Sequence, residues 1–174
     1  MNEFTIKDTR DFMKDLEHTV LKPEDKNLRI HYVFFPKEVN RIRMIEYYGK
    51  FYMNNTMERS LYGCIYFNVP YIHKHINNSF HSIESKKNFL TKIFMQEYRH
   101  YIQNRDIEEL RKYILYSKIE KWLEDDADNY SKTYIKDGIE LPVYELKKKI
   151  NEFYRYMPNC VKIRNWTFNR VEFI

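Results

Sequence analysis

The feature that most constrains this chain is an apolar helical stretch, residues 89–102, that carries polar side chains on or beside its apolar face. At 100° per residue, five of its apolar side chains fall on one arc of about 140°: Phe89, Leu90, Ile93, Phe94 and Tyr101. Gln96, Glu97 and His100 lie inside or beside the same arc. Because polar groups that point into a protein interior are costly without partners, each of these three side chains needs one.

An acidic run, residues 124–128, is the candidate for that partner, and it begins 24 residues after His100. Glu124 and Asp128 are one helical turn apart and therefore share a helix face. The only alanine of the chain, Ala127, lies between them. The pattern predicts two helices that pack with their polar residues facing each other.

These two segments resemble the zincin metallopeptidases, whose signature is HExxH with a later Glu from a second helix. Many small zincin-like proteins carry the patterns HExRHxxQ and ExxADxY. The matching residues here are Glu97, Arg99, His100 and Gln103 in the first helix and Glu124, Ala127, Asp128 and Tyr130 in the second. Gln96 stands where the family has its first histidine.

The resemblance implies a zinc site in which His100 and Glu124 are ligands, Glu97 is the general base and Asp128 supports the ligands. Gln96 occupies the first ligand position. Ligands at i and i+4 of a helix can reach one metal ion, and zinc lowers the pKa of a bound water that a neighbouring carboxylate can deprotonate. Because a neutral carboxamide is a poorer ligand than imidazole, Gln96 predicts zinc affinity weaker by several kcal/mol.

Three further histidines precede the motif helix, in residues 71–82, which we predict to be a loop. If that loop is extended, His73 and His75 point the same way. They are candidate substitute ligands for the missing histidine, as is His81.

The order of elements predicts an α+β, zincin-like fold with an N-terminal helix, a small three-stranded and mostly antiparallel sheet, two motif helices, and a C-terminal helix with a short β tail. We expect strands within residues 28–35, 42–53 and 61–69. By the family resemblance, the strand at 61–69 lies at the cleft and binds extended peptide by its edge. We expect the motif helix to begin near Ser82 or Ser85. A capping box at Asp106 predicts the start of a new helix, which we expect to break near residues 116–118.

We divide the chain into a zincin-like domain, residues 1–136, and a C-terminal helix with a β-like tail, residues 137–174, with a hairpin turn near Asn165 or Asn169. The bias toward Asn, Lys, Ile and Tyr is typical of an AT-rich genome, such as that of a phage or a low-GC bacterium. The chain shows no signal peptide and no membrane span, and its two cysteines have no metal or redox spacing. We therefore expect a cytoplasmic protein, in the host cytoplasm if it is viral.

Two functions follow. The favoured one is a zincin-like metallopeptidase-fold protein with a degenerate QExxH site and a peptide or protein substrate. The alternative is a non-catalytic binding protein on the same scaffold, one that modulates a host protein or a nucleic acid. The net charge of +5 and the basic and aromatic residues of 147–170 permit nucleic-acid binding, but a solvated helix face explains them better.

Overall fold

The computed structural model describes residues 3–41, 47–55, 61–157 and 170–173. The α-helices in these ranges are α1 (Ile6–Val20), α2 (Pro36–Arg41), α3 (Val69–Ser79), α4 (Ile83–Asp106), α5 (Glu109–Lys112), α6 (Ser117–Asp137) and α7 (Tyr144–Arg155). The strands are β1 (Leu28–Val33), β2 (Gly49–Asn55), β3 (Leu61–Asn68) and β4 (Arg170–Phe173). The predicted mixed α+β class is confirmed.

The strands form one mixed sheet in the order β1-β3-β2-β4. Strand β3 pairs in parallel with β1 and antiparallel with β2, and β4 pairs antiparallel with β2. The sheet has four strands instead of the predicted three, because the C-terminal strand β4 joins it. The pairing is mostly antiparallel, as predicted, with β1–β3 as the one parallel pair among the described strands. The short C-terminal strand belongs to the same sheet as the N-terminal strands.

Strand β3 is central, so the expectation that its edge lines a peptide-binding cleft is wrong. Its side chains are buried on both faces: Ile65 and Phe67 are fully buried, and Cys64 is 8% exposed. A strand covered on both faces needs apolar residues at nearly every position, which this segment supplies.

Residues 71–82 are mostly helical, which corrects the predicted loop. Helix α3 buries Val69, Ile72 and Ile76 along one face, at the spacing of a helix. Asn68 caps the helix by accepting a hydrogen bond from the Tyr71 N–H at 3.3 Å. Pro70 was read as the end of the strand, but a proline in the first turn is equally suited to begin a helix.

Helix α4 begins as predicted, with Ser82 accepting a hydrogen bond from the Ser85 N–H. The capping box at Asp106 is wrong, because α4 continues to that residue and the Asp106 carboxylate pairs with Arg105 at 2.7 Å. The predicted break is confirmed, since α6 begins only at residue 117. Gly138 ends α6 in the left-handed conformation, with φ 66°, which glycine adopts without strain.

The core lies between the sheet and helix α4, which packs against α1, α3 and α6. Its largest buried side chains include Phe51, Phe67 and Phe94. The predicted strand residues 42–46 and the predicted hairpin at Asn165 or Asn169 lie outside the described residues. Within those residues, no helix has the length and apolar character needed to cross a membrane.

Candidate functional site

Helices α4 and α6 bring the two sequence motifs into direct contact. The Gln96 side-chain amide donates a hydrogen bond to the Asp128 Oδ1 at 3.2 Å. One turn further along α4, the His100 Nε2 lies 3.3 Å from the Glu124 Oε1. The structure thus places Gln96, His100, Glu124 and Asp128 along one seam between the two helices, with Glu97 beside them.

The His100 ring is held through both of its nitrogen atoms. Its Nδ1 lies 2.9 Å from the Gln103 Oε1. The Gln103 amide nitrogen in turn donates to the Leu123 carbonyl at 2.9 Å and to the Asp126 carboxylate at 2.7 Å. Because both of those atoms only accept, the Gln103 oxygen must face the ring, and the His100 Nδ1 must carry a hydrogen.

This arrangement determines what lies between His100 and Glu124. In the neutral ring with a hydrogen on Nδ1, the Nε2 is an acceptor and faces a carboxylate oxygen that also accepts. The contact is favourable only if a proton or another cation lies between the two atoms. Burial by itself lowers the pKa of His100, but the hydrogen bond to Glu124 and the charges of Glu97 and Glu124 outweigh it and raise the pKa. Relative to an exposed histidine, this environment therefore stabilises the protonated ring.

Glu97 is buried beside this pair, with 8% of its surface exposed. Its Oε2 has no hydrogen-bond partner among the described residues. Burial raises the pKa of Glu97 to about 7; the charge of Glu124 adds to this effect, and those of His100 and Lys50 oppose it. A carboxyl group with a pKa near neutrality can either accept or donate a proton under physiological conditions.

Strand β2 covers Glu97 at its first residue. A Cβ atom on Gly49 would lie 3.0 Å from the Glu97 Cγ and 3.1 Å from the Phe67 ring. The glycine therefore lets the strand approach the helix at this point. Gly49 is the first residue of β2 and leaves room for the Glu97 side chain.

Arg99 and Asp126 form a second layer behind the seam. The Arg99 guanidinium donates to both oxygens of Asp126, at 2.7 and 3.1 Å. It also donates to the carbonyls of Leu141 and Pro142, at 2.7 and 3.1 Å. The pair fixes Asp126, which in turn orients Gln103 and so the His100 ring.

Asp126 is the functional residue that sequence reasoning missed. From the acidic run 124–128 we selected only Glu124 and Asp128, because these two residues share a helix face. Arg99 lies in the apolar stretch and is 1% exposed, so it needs a buried counter-ion. Asp126 lies three residues after Leu123, which faces the core. This helical spacing indicates that Asp126 also lies on the inner side of α6.

The structure does not place the candidate substitute ligands in an extended segment. His73 and His75 lie on helix α3, where the His75 Nδ1 is 3.1 Å from the Tyr48 hydroxyl and its ring packs against Phe89. The His73 Nε2 is 2.9 Å from the Asn77 amide nitrogen. The geometric basis for their role as ligands is therefore wrong.

The donor set does not fit the three-ligand zinc site that the resemblance implies. His100 and Glu124 supply two donors, and the amide of Gln96 faces Asp128. In the described part of the chain, no three or more His, Cys, Asp or Glu side chains are grouped so that they could hold a metal ion. Catalytic zinc sites use three protein ligands and leave one position open.

Comparison of the chain with protein-family models, with curated proteins and with solved structures gives no significant match. The interpretation of the site therefore rests on its own geometry.

Proposed function

We propose that this protein is a zincin-like protein with a degenerate active site, which retains the paired helices of a metallopeptidase but does not hydrolyse peptides. The observation that carries the proposal is the closed hydrogen-bond network around His100. Both ring nitrogens of His100 have partners, Gln103 and Glu124, and Gln96 donates to Asp128 instead of facing the pair. A buried imidazole with both nitrogens paired stabilises a fold without a metal ion.

A protein of this kind acts by binding rather than by catalysis. Its partner would be another protein, a host protein if a phage encodes the chain, and α4 and α6 then serve as the rigid part of a binding scaffold. Glu97 remains as the group that the ancestral chemistry would have used as its base. Its position beside the seam supports common ancestry with the zincins.

Metal content tests the proposal directly. We expect untagged wild-type protein to contain far less than one equivalent of zinc by elemental analysis, and His100→Ala to contain no less. Gln96→His restores the first ligand, and we expect that variant to bind about one equivalent of zinc. A second change in the same background, Glu124→Gln, is the matched control and should remove the gained zinc.

Two outcomes would overturn the proposal. Stoichiometric zinc in the wild type that is lost in His100→Ala would mean that the natural site is a working metal site. A folded Gln96→His variant that gains no zinc would mean that the helices do not have zincin geometry. If Gln96→His gains hydrolysis of fluorogenic peptides, Glu97→Gln in that background should abolish it.

A further inference from the structure

A groove lies along the outer edge of the sheet, on a different part of the molecule from the Gln96–Glu124 seam. Its cavity, about 360 Å³, is lined by residues 30–34, by Arg10 and Lys14 of α1, by Glu38 and Arg41 of α2, and by Tyr66. We call this the β1 groove. Its floor is a run of consecutive residues of β1, so the strand presents its backbone as well as its side chains.

The backbone of β1 has hydrogen-bonding groups that point into the groove. Within the described part of the chain, β1 pairs with β3 on one side only. The Asn27 carbonyl accepts from the Gly63 N–H at 3.1 Å, so residues of the same parity as Asn27 direct their backbone groups toward β3. Because this direction alternates along a strand, Ile30 and Tyr32 direct their N–H and C=O groups outward. Such an edge is a template for another strand.

The groove is strongly basic. Arg10, Lys14 and Arg41 line it together with one carboxylate, Glu38. Arg10 does pair with Asp11 at 3.1 Å, but both side chains are partly exposed, 34% and 47%. Exposed pairs of this kind are weak and exchange readily with another anion. The charge of the groove therefore favours an acidic ligand.

The two walls of the groove differ in character. On the α1 side, Lys14 lies 5.9 Å from the centre of the Tyr32 ring and Arg10 lies 6.0 Å from that of Phe34. On the α2 side, the groove is lined by one carboxylate and one cation, Glu38 and Arg41, whose charges balance. An extended segment in the groove would place alternate side chains on the two walls. The walls match a segment that directs acidic side chains toward α1 and uncharged side chains toward α2.

We propose that the β1 groove binds an extended acidic segment of a partner protein by adding it as a fifth strand to the sheet. Backbone hydrogen bonds to Ile30 and Tyr32 supply the affinity, and the α1 cations select acidic side chains. This proposal depends on the proposed function in one respect: a protein that does not hydrolyse peptides is expected to act by binding. Zinc analysis tests the seam and peptide binding tests the groove, so the two proposals can fail separately.

The test uses the full chain and a fluorescein-labelled nonapeptide of alternating Glu and Val. Two isomers of this peptide carry N-methyl groups, one on the Glu amides only and the other on the Val amides only. An added strand donates from alternate amides, so we expect one isomer to bind about tenfold more weakly or worse while the other binds like the parent. The isomer that fails reports the direction of the added strand.

Charge reversal tests the walls. We expect Arg10→Glu/Lys14→Glu to weaken binding of the parent peptide about tenfold, with a smaller loss for Arg41→Glu. The matched control is Lys147→Glu/Lys148→Glu, which reverses two charges at a second, basic surface cavity on α7 and should leave binding unchanged. On peptide binding, the amides of Ile30 and Tyr32 should become protected from hydrogen exchange.

Several results would overturn the proposal. These are the absence of peptide binding, equal affinity for the two N-methylated isomers, and an equal loss in the α7 control. Tighter binding of an oligothymidylate than of the peptide, lost in Arg10→Glu/Lys14→Glu, would reassign the groove to nucleic acid.

Discussion

Two buried charged side chains of helix α4, Arg99 and Glu97, lie two residues apart and have opposite surroundings. Arg99 is 1% exposed and donates to the Asp126 carboxylate and to two backbone carbonyls. Its guanidinium also lies 4.5 Å from the centre of the Tyr130 ring. Glu97 is 8% exposed, and within the described residues its Oε2 has no hydrogen-bond partner.

The difference separates a buried charge that is balanced by its contacts from one that is not. The charge of Arg99 is balanced, and its bonds tie helix α6 to the loop that follows it. The pKa of Glu97 is raised to about 7, mainly by burial, so the fold holds its carboxylate form in an unfavourable environment. Perturbed groups of this kind are typical of functional sites. Substitutions on each side of α4 test whether Arg99 and Glu97 differ in role as much as their contacts indicate.

The largest effect is expected for Arg99→Ala. This change leaves the Asp126 carboxylate and the carbonyls of Leu141 and Pro142 without their donor. Breaking a buried ion pair in this way should lower the free energy of unfolding by about 3–5 kcal/mol. Chemical denaturation followed by circular dichroism measures it.

Arg99→Lys is the matched control, because it keeps the charge but cannot reach four acceptors with one planar group. It should lose less stability than Arg99→Ala. A loss below about 1 kcal/mol in Arg99→Ala, the range of exposed pairs, would remove the architectural role.

The next effect is a pH dependence that comes from Glu97. Its pKa in the folded protein, about 7, is higher than the unfolded value of 4.5. The folded state therefore binds the proton more tightly, and stability is highest below the unfolded pKa and falls as the pH rises through the folded pKa. The free energy of unfolding should fall by about 3 kcal/mol between pH 4.5 and pH 8.

His100 contributes in the same direction, because its pKa is also raised in the folded protein. Glu97→Gln keeps the shape of the side chain and removes the titration, so it should flatten most of this dependence. Urea titrations from pH 4.5 to pH 8 on both proteins check the prediction. An unchanged slope in Glu97→Gln would assign the pH dependence to other groups.

The sequence predicted the polar seam more accurately than the sheet. Helical periodicity placed Gln96 and His100 on the core side of one helix and Glu124 and Asp128 on one face of another, and these residues meet. Both segments are long, and the spacing of their polar residues is helical, so local pattern predicts these contacts. Glu124 and Asp128 were recognised because they are one turn apart, whereas Asp126 required knowledge of where Arg99 points.

The order and direction of the strands could not be obtained in the same way. The parallel pairing of β1 with β3 and the place of β4 beside β2 are long-range contacts. Nothing in a single strand specifies its neighbour when the strand is apolar on both faces, as β3 is. Helix α3 was missed because Pro70 both ends a strand and begins a helix, and polar residues between Ile72 and Ile76 hid the helical spacing.

A smaller effect is expected for Gly49→Ala, which tests the packing on the Glu97 side. The added methyl group would lie 3.0 Å from the Glu97 Cγ and 3.1 Å from the Phe67 ring. Overpacking of a filled interior should lower the free energy of unfolding by about 1–3 kcal/mol. Thermal unfolding measures the loss. Full stability in Gly49→Ala would show that spare space surrounds Glu97, and the unfavourable environment inferred for its carboxylate would then be wrong.

The smallest effect is expected for Asp128→Asn. Asp128 accepts from Gln96 at 3.2 Å and pairs with Lys132 at 2.6 Å and Lys92 at 3.7 Å, but its side chain is 39% exposed. The hydrogen bond from Lys132, together with the charges of Lys132 and Lys92, holds the pKa of Asp128 below its ordinary value. Exposed pairs of this kind contribute at most about 1 kcal/mol. Asp126→Asn is the matched change on the buried side, where Arg99 would lose its charged partner, and it should cost several times more. Urea denaturation at pH 7 measures both losses. Equal losses would mean that Asp126 and Asp128 contribute equally to the free energy of unfolding, in spite of their different burial.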